Sequence, residues 1–230
     1  MISVALITPK YSGNIGATAR AMKNFGFSGL ILVGKGIKID SEARKYAVHA
    51  QDVLKGAKRY GSFDELRRNY DFLIGTTGIP TASDEHFHRI SLTPEQLRKK
   101  ASRLNGKVAI VFGPEDIGLT NPQVRKCDLL VHIPTAKEYS VMNISHSAAV
   151  LLYELSDMPT PKFRLASVRE QEVLSSEIDL LLKEIGIRNK PTVKMMFGRI
   201  FGRAVLTGRE VNTLIGFFKE ARKKIISPKL

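Results

Sequence analysis

VHIPTAKEYSVMNISHSAAVLLYEL, residues Val131–Leu155, reads as an apolar strand end, a polar loop and a helix rich in small residues. The strand spans Leu129–Ile133, and Pro134 ends it because proline cannot donate to a sheet ladder. The loop Thr135–Met142 lacks helical periodicity and leads to Asn143 or Ser145, either of which suits a helix N-cap. Beyond it Ala148, Ala149, Leu151, Leu152 and Leu155 supply one apolar helix face. A helix amino terminus just past a strand end is where α/β proteins commonly bind ligands, since its N–H groups lack intrahelical partners.

The segments before this stretch repeat its logic. Ile2–Ile7 is an apolar strand followed by turn residues Tyr11–Asn14, and a helix is expected over Ile15–Phe25, closed by Gly26. Gly29–Val33 is a second strand, and the polar segment Ser41–Gly61 carries one or two short helices. Asp64–Asn69 reads as a helix and Asp71–Ile74 as the third strand, ending in Gly75-Thr76-Thr77-Gly78. A long polar loop over 79–93 holds His86 and His88, and Pro94–Leu104 is a helix with proline in its first turn. Lys107–Phe112 is the fourth strand, ending in Gly113-Pro114-Glu115-Asp116. After a helical turn at Asn121–Lys126, Asp128–Ile133 is the fifth. Alternating strands and helices predict an α/β fold with a mostly parallel sheet flanked by helices. Three strands then end in glycine-rich or polar loops, 75–78, 113–118 and 135–143, that share one sheet edge and can converge on one crevice.

Pro159 and Pro161 mark a boundary, giving a domain over 1–158 and an extension over 159–230. Helical spacing recurs over Ser167–Ile185, Pro191–Gly202 and Thr207–Ile226, the last opened by a Thr207/Glu210 capping box. The net charge is +14, and residues 160–230 hold 15 Lys+Arg against 7 Asp+Glu, so the extension carries more than half of the excess. That asymmetry fits a polyanion-binding appendage or a generically basic surface.

Several classes lose their support. No apolar run reaches the length of a membrane span, and no signal-peptide pattern opens the chain. Cys127 is the sole cysteine, which rules out an internal disulfide and a cysteine-based zinc site and fits a reducing, cytoplasmic setting. No phosphate loop, dinucleotide glycine fingerprint, H-E-x-x-H or G-x-S-x-G elbow occurs. His49, His132 and His146 are scattered without metal-ligand spacing and read as surface or core histidines, so no metal is expected.

What remains is a combination of three segments. They are NIGATARAMKNFG (Asn14–Gly26), VFGPEDIGL (Val111–Leu119) and His132-Ile133-Pro134 through Tyr139-Ser140-Val141-Met142-Asn143-Ile144-Ser145. Together, in this order and spacing, they resemble the signature motifs of the SPOUT RNA methyltransferases. The likeness is to the branch that methylates ribose 2′-hydroxyls, and most nearly to the tRNA (cytidine/uridine-32-2′-O)-methyltransferases. It covers residues 1 to about 157 well, and the carboxyl-terminal helices match in character more than in motif. The resemblance implies a trefoil knot formed by about Gly113–Leu155, an exception to the usual absence of knots. It also implies a homodimer and S-adenosylmethionine as methyl donor. The adenine would lie against backbone near Gly113, Ile133 and Met142, with Thr76, Thr77, Gly78, Glu115, Gly118, Val141 and Ser145 completing the donor pocket.

By the same resemblance Arg20 engages the target phosphate and hydroxyl with Asn14 beside it, Glu115 shapes the active-site loop, and Ser140 and Asn143 fix loop and substrate. Arginine suits bidentate phosphate contact but is an awkward base at its high pKa, so orientation and electrostatics are the expected role. Taken singly, Arg20 reads as a solvated helix arginine, Gly113 and Gly118 as turn glycines, and Asn143 as a cap. The RNA backbone is expected to meet Arg20, Lys23, Arg199, Arg203, Arg209, Arg222, Lys223 and Lys224, in contacts that are salt-dependent and blind to sequence. The implied activity is 2′-O-methylation of nucleotide 32 in the tRNA anticodon loop. Methylation of another RNA, such as ribosomal RNA, or a non-catalytic RNA-binding role on the same fold are the alternatives.

Overall fold

A computed structural model describes residues 2–78, 91–101, 106–156 and 164–226. In chain order the elements are β1 (Ile2–Ile7), α1 (Ser12–Asn24), β2 (Gly29–Val33), α2 (Ser41–Ala47), α3 (Gln51–Lys55), β3 (Lys58–Tyr60), α4 (Phe63–Asn69) and β4 (Phe72–Thr76). They continue as α5 (Pro94–Ala101), β5 (Val108–Phe112), α6 (Asn121–Arg125), β6 (Leu129–Val131), a 3₁₀ turn at Lys137–Tyr139, α7 (Ile144–Leu155), α8 (Val168–Glu184), α9 (Lys190–Ala204) and α10 (Gly208–Ile226). The loop expected over 79–93 with His86 and His88, the last turn expected for α5, and Pro159 and Pro161 fall wholly or mainly outside the described residues.

The six strands form one sheet in the order β3-β2-β1-β5-β4-β6, every pair parallel. Side chains alternate across it: Val4 and Leu6 of β1 join the cluster under α1, α3, α5 and α7, while Ala5 and Ile7 join the one under α4 and α6. Both faces are covered, which is why the central strands read as near-continuous apolar runs. From β1 the chain winds outward to β3, then crosses to β4 and returns to β5 beside β1. The winding therefore reverses between β1 and β5, and a crevice opens beyond their carboxyl ends.

Two expectations change. The strand expected as fifth is the sixth, because Lys58–Tyr60 forms an edge strand that its basic, largely exposed residues concealed. It also ends at Val131, not Ile133, since the chain beyond it pairs instead with Leu92, whose carbonyl accepts from His132 N–H.

Helices α8, α9 and α10 gather a separate apolar cluster around Leu174, Ile178, Leu182, Val211, Ile215 and Phe218. The expected capping box of Thr207 with Glu210 opens α10, and a second box, of Ser167 with Glu170, opens α8. This bundle docks at the amino-terminal ends of β4 and β6. Gln171 Nε2 donates to Asp71 O and Arg67 bridges Asp128 to Gln171. A Cβ at Gly202 of α9 would lie 2.3 Å from Asp128 O, so only glycine permits this approach. No helix among the described residues is long and apolar enough to cross a membrane.

Candidate active site

Strands β5, β4 and β6 are consecutive neighbours, so their carboxyl-terminal loops lie side by side. Thr76 Oγ1 donates to Val111 O at 3.1 Å, tying the end of β4 to β5. Thr77 N–H donates to Val131 O at 3.0 Å, and His132 Nδ1 returns the link to Thr77 O at 3.1 Å. Because a carbonyl only accepts, Nδ1 carries the proton in that contact. A Cβ at Gly78 would lie 3.5 Å from Val141 Cγ2, so the β4 loop reaches the loop before α7. That loop is braced by Thr135 Oγ1, which donates to Ser140 O at 2.9 Å. The β5 loop folds back on itself: Gly118 N–H donates to Pro114 O, and a Cβ at Gly113 would sit 2.1 Å from the Gly118 carbonyl carbon. Backbone contact this close requires glycine at 113.

A second set of contacts sits where the winding reverses. Asn14, in the first turn of α1, donates from Nδ2 to Glu115 Oε1 at 2.8 Å. Glu115 also accepts from the backbone N–H groups of Lys10, at 2.9 Å, and Tyr11, at 3.5 Å. Lys10 Nζ meets Asp116 at 2.5 Å, an exposed pair that adds a second strap between the β1 and β5 loops. Asn143 Nδ2 donates to Asn14 Oδ1 at 3.0 Å, while Asn143 Oδ1 caps α7 by accepting from Ser145 N–H and Oγ–H. Burial pushes the half-buried Glu115 carboxyl up, but Asn14 and the backbone donors outweigh it and hold it below the usual glutamate range. Glu115 is therefore an ionised anchor, and the Asn14 amide is oriented from both ends.

The residues expected to hold a methyl donor fit that use. The loops 76–78, 113–118 and 133–142 follow neighbouring strands at one sheet edge, with Ile133 and Met142 half-buried and Val141 exposed. Among the described residues the backbone N–H groups of Ile133 and Met142 meet no protein acceptor, leaving two donors for a heterocycle.

The family model described as "SpoU rRNA Methylase family" matches residues 1–153, the segment that builds this site. The chain belongs to the SpoU methylase family. It is thus a methyltransferase. A relative from Methanocaldococcus jannaschii named tRNA (cytidine-2′-O-)-methyltransferase TrmJ is 42% identical over 95% of this chain and 99% of its own. The crystal structure of TrmJ from Z. mobilis ZM4 superposes with a TM-score of 0.74 at 26% identity, covering 96% of this chain and 98% of that one. The SpoU methyltransferase AviRb from Streptomyces viridochromogenes, solved with AdoMet, shares the fold at a TM-score of 0.52 and 24% identity, over 67% of this chain and 58% of that one.

Within this SpoU domain the structure unites Asn14, Glu115, Asn143 and Ser145, sets Gly78 against Val141, and ties Thr76 to β5 and Thr77 to β6 and His132. Ser140 contributes its backbone carbonyl to the loop brace. Arg20 does not touch Asn14. Six residues along a helix separate the two by about 9 Å and about 120° of rotation, and Arg20 is exposed with no hydrogen bond or ion pair among the described residues. Lys23 is already paired with Asp52 at 2.7 Å. The basic residues of α9 and α10 lie in the bundle at the opposite sheet edge. Arg203, Arg209 and Lys224 are exposed there and Arg199 is half-buried; Arg222 meets Glu177 at 3.3 Å and Lys223 meets Glu220 at 2.7 Å. Sequence reasoning missed Lys10, Asp116 and His132. Only the position of Lys10 just after β1 and of Asp116 beside Glu115 hinted at a strap, and His132 opens the third motif segment without any local sign of a partner.

Proposed function

We propose that this protein transfers the methyl group of S-adenosylmethionine to the ribose 2′-hydroxyl of nucleotide 32 in the tRNA anticodon loop. The observation that carries the reading is the Glu115–Asn14–Asn143 chain, which joins all three motif segments at the β1/β5 reversal. The tRNA substrate is supported by the 42% identical relative named as a tRNA (cytidine-2′-O-)-methyltransferase, which aligns over nearly the whole of both chains. When bound, the donor supplies an electrophilic methyl on a sulfonium centre. Gly113, Ile133 and Met142 would hold it with that methyl offered to the ribose O2′, whose proton would pass to solvent water, with the sulfonium leaving as the neutral thioether.

The protein's own groups serve this by position. Glu115 spends its carboxylate on N–H donors and its pKa is lowered, so it is a poor proton acceptor at neutral pH and acts as an anchor. Asn14 and Asn143, locked to each other, present a fixed polar rim to the ribose. Arg20, unpaired and exposed on α1, is the cation for the flanking phosphate, which a guanidinium grips in two places. Holding the reactants in line supplies much of the acceleration in such a transfer.

The reading includes a knot over about Gly113–Leu155, a homodimer, and division of the chain into a catalytic part over 1–158 and a tRNA-binding part over 159–230. Ile144, Ala148, Leu151 and Leu152 of α7 belong to the core cluster under the sheet, where a helix closing such a knot would pack. Labelled donor incubated with unmodified tRNA, and with ribosomal RNA in parallel, tests the activity. Transfer to ribosomal RNA alone overturns the substrate, transfer to neither overturns the enzyme, and transfer that persists on tRNA carrying 2′-deoxyribose at position 32 overturns the site.

A further inference from the structure

A crevice of about 850 Å³ separates α4, α6 and β6 from α8 and α9, at the amino-terminal sheet edge and away from the motif loops. Its floor is apolar, with Val124, Leu130, Ile178 and Met195, and its lining is strongly cationic. Some of that charge is neutralised internally: Arg67 by Asp128, Lys126 by Asp64 and Lys194 by Asp179. Arg68 of α4, Arg125 of α6 and Arg203 of α9 are different. All three are exposed, all line the crevice, and none has a side-chain hydrogen bond or ion pair among the described residues. Arg68 feels the Asp64 carboxylate of its own helix at longer range, but Asp64 is already paired with Lys126, and guanidinium groups from three helices lining one crevice match a run of phosphates better than any neutral surface.

We propose that this crevice is a second RNA site, which takes phosphate–ribose backbone of the tRNA outside the anticodon loop. The inference rests on the tRNA reading above and adds to it a place and two residues, Arg68 and Arg125, from the catalytic part of the chain. Strands of about five residues rise roughly 17 Å from this edge to the motif loops. An RNA that fills both sites must therefore run past the sheet end, as the body of a folded tRNA does and a short stem-loop does not. Phosphates sit on the arginines while ribose and base edges cover the apolar floor. The crevice then reads tRNA shape, and the motif loops read the target nucleotide.

The test uses the full chain with Arg68→Ala/Arg125→Ala, and Arg203→Ala from the opposite wall as an independent variant. Affinity is measured for full-length tRNA and for an anticodon stem-loop oligonucleotide across a salt series. With two phosphate contacts gone, the slope of log K against log salt should become shallower by about 1.4–1.8 for full-length tRNA. The affinity loss should be larger for tRNA than for the stem-loop, and donor binding should report an intact fold. Unchanged tRNA affinity and slope, or an equal penalty on both RNAs, overturns the proposal. So does a change in sedimentation mass with no change in tRNA slope, which would mark the crevice as a contact between copies of this chain. If the variants show that shallower slope and tRNA-selective loss while wild-type protein methylates no RNA, the functional reading fails and the second site stands.

Discussion

Asn143 and Asn14, 129 residues apart in the sequence, share a 3.0 Å hydrogen bond that runs from the Asn143 amide nitrogen to the Asn14 oxygen. The direction is set elsewhere. Glu115 takes the Asn14 nitrogen, leaving only its oxygen for Asn143, and Asn143 turns its own oxygen to the first turn of α7. One carboxylate thus fixes two amides and, through them, the helix start at the mouth of the site. Glu115→Gln keeps the size of the side chain but lets the Asn14 amide rotate. A charge-assisted hydrogen bond is worth about 1.5–3 kcal/mol, so the single-turnover transfer rate should fall roughly 10- to 100-fold. Donor affinity, measured by titration, should fall far less. An equal fall in both would assign Glu115 to the donor pocket.

Arg20→Ala should abolish transfer while donor binding survives. Arg20 is exposed and unpaired, so its removal leaves no buried group uncompensated and should cost less than about 0.5 kcal/mol of stability. Arg20→Lys should restore little, because an ammonium cannot make the two-point contact of a guanidinium. Parallel loss of donor binding and transfer would mean that Arg20 shapes the protein and does not touch the RNA.

The parallel sheet and the meeting of three loops at one edge were legible because the central strands are apolar runs followed by glycine or proline, and the Thr207/Glu210 cap carried its side-chain signature. Three things were not. The edge strand Lys58–Tyr60 is too short and too charged to alternate. The His132–Thr77 contact joins residues 55 apart, and no local pattern encodes it. The docking of α8–α10 at the amino-terminal edge depends on Arg67, Gln171 and Gly202, each unremarkable in its own window. Charge marked the bundle as a polyanion-binding appendage without saying where it docks, and the docking sets its basic residues at the far end of the strands from the motif loops.

His132 holds the Thr77 carbonyl and so fixes the β4 loop against β6. S-adenosylmethionine at about 100 times its Kd should stabilise the folded protein by about 2.7 kcal/mol, raising Tm by roughly 5–11 °C for a chain of this size. His132→Ala should shrink that shift and raise KM for the donor while kcat with saturating donor stays near wild type. His132→Asn, whose amide can donate to the same carbonyl, should recover part of it. A shift unchanged in His132→Ala would remove the loop from the donor pocket.

Asp128 is the hinge of the bundle's docking. It accepts from Arg67 at 2.8 and 3.3 Å and from Leu73 N–H at 2.7 Å, with both charged side chains largely buried. Asp128→Ala leaves the Arg67 guanidinium and a backbone N–H without their acceptor and should cost about 3–5 kcal/mol in denaturant titration. Replacing the pair together, with Arg67→Met and Asp128→Leu, should cost less than the single change. A loss below about 1 kcal/mol for Asp128→Ala would show that water replaces the carboxylate.

Glu170 gives the bundle a dependence on acid. Two hydrogen bonds from Arg164 dominate, and the N–H and hydroxyl of Ser167 add to them against the opposing effect of burial, so its carboxyl falls from the ordinary 4.5 to about 2. A carboxyl whose folded pKa is depressed contributes stability above its unfolded pKa and loses it as pH falls through the folded value. The Glu170 contribution should therefore be complete above about pH 5 and vanish between about pH 4.5 and 2. Hydrogen exchange at the start of α8, followed from pH 6 to pH 2 at fixed ionic strength, should show protection falling through that window. In Glu170→Gln the start of α8 should be less protected at pH 6, with the difference from wild type closing towards pH 2. A constant difference across the window would mean that the carboxylate's charge is irrelevant and that the capping geometry alone holds the helix.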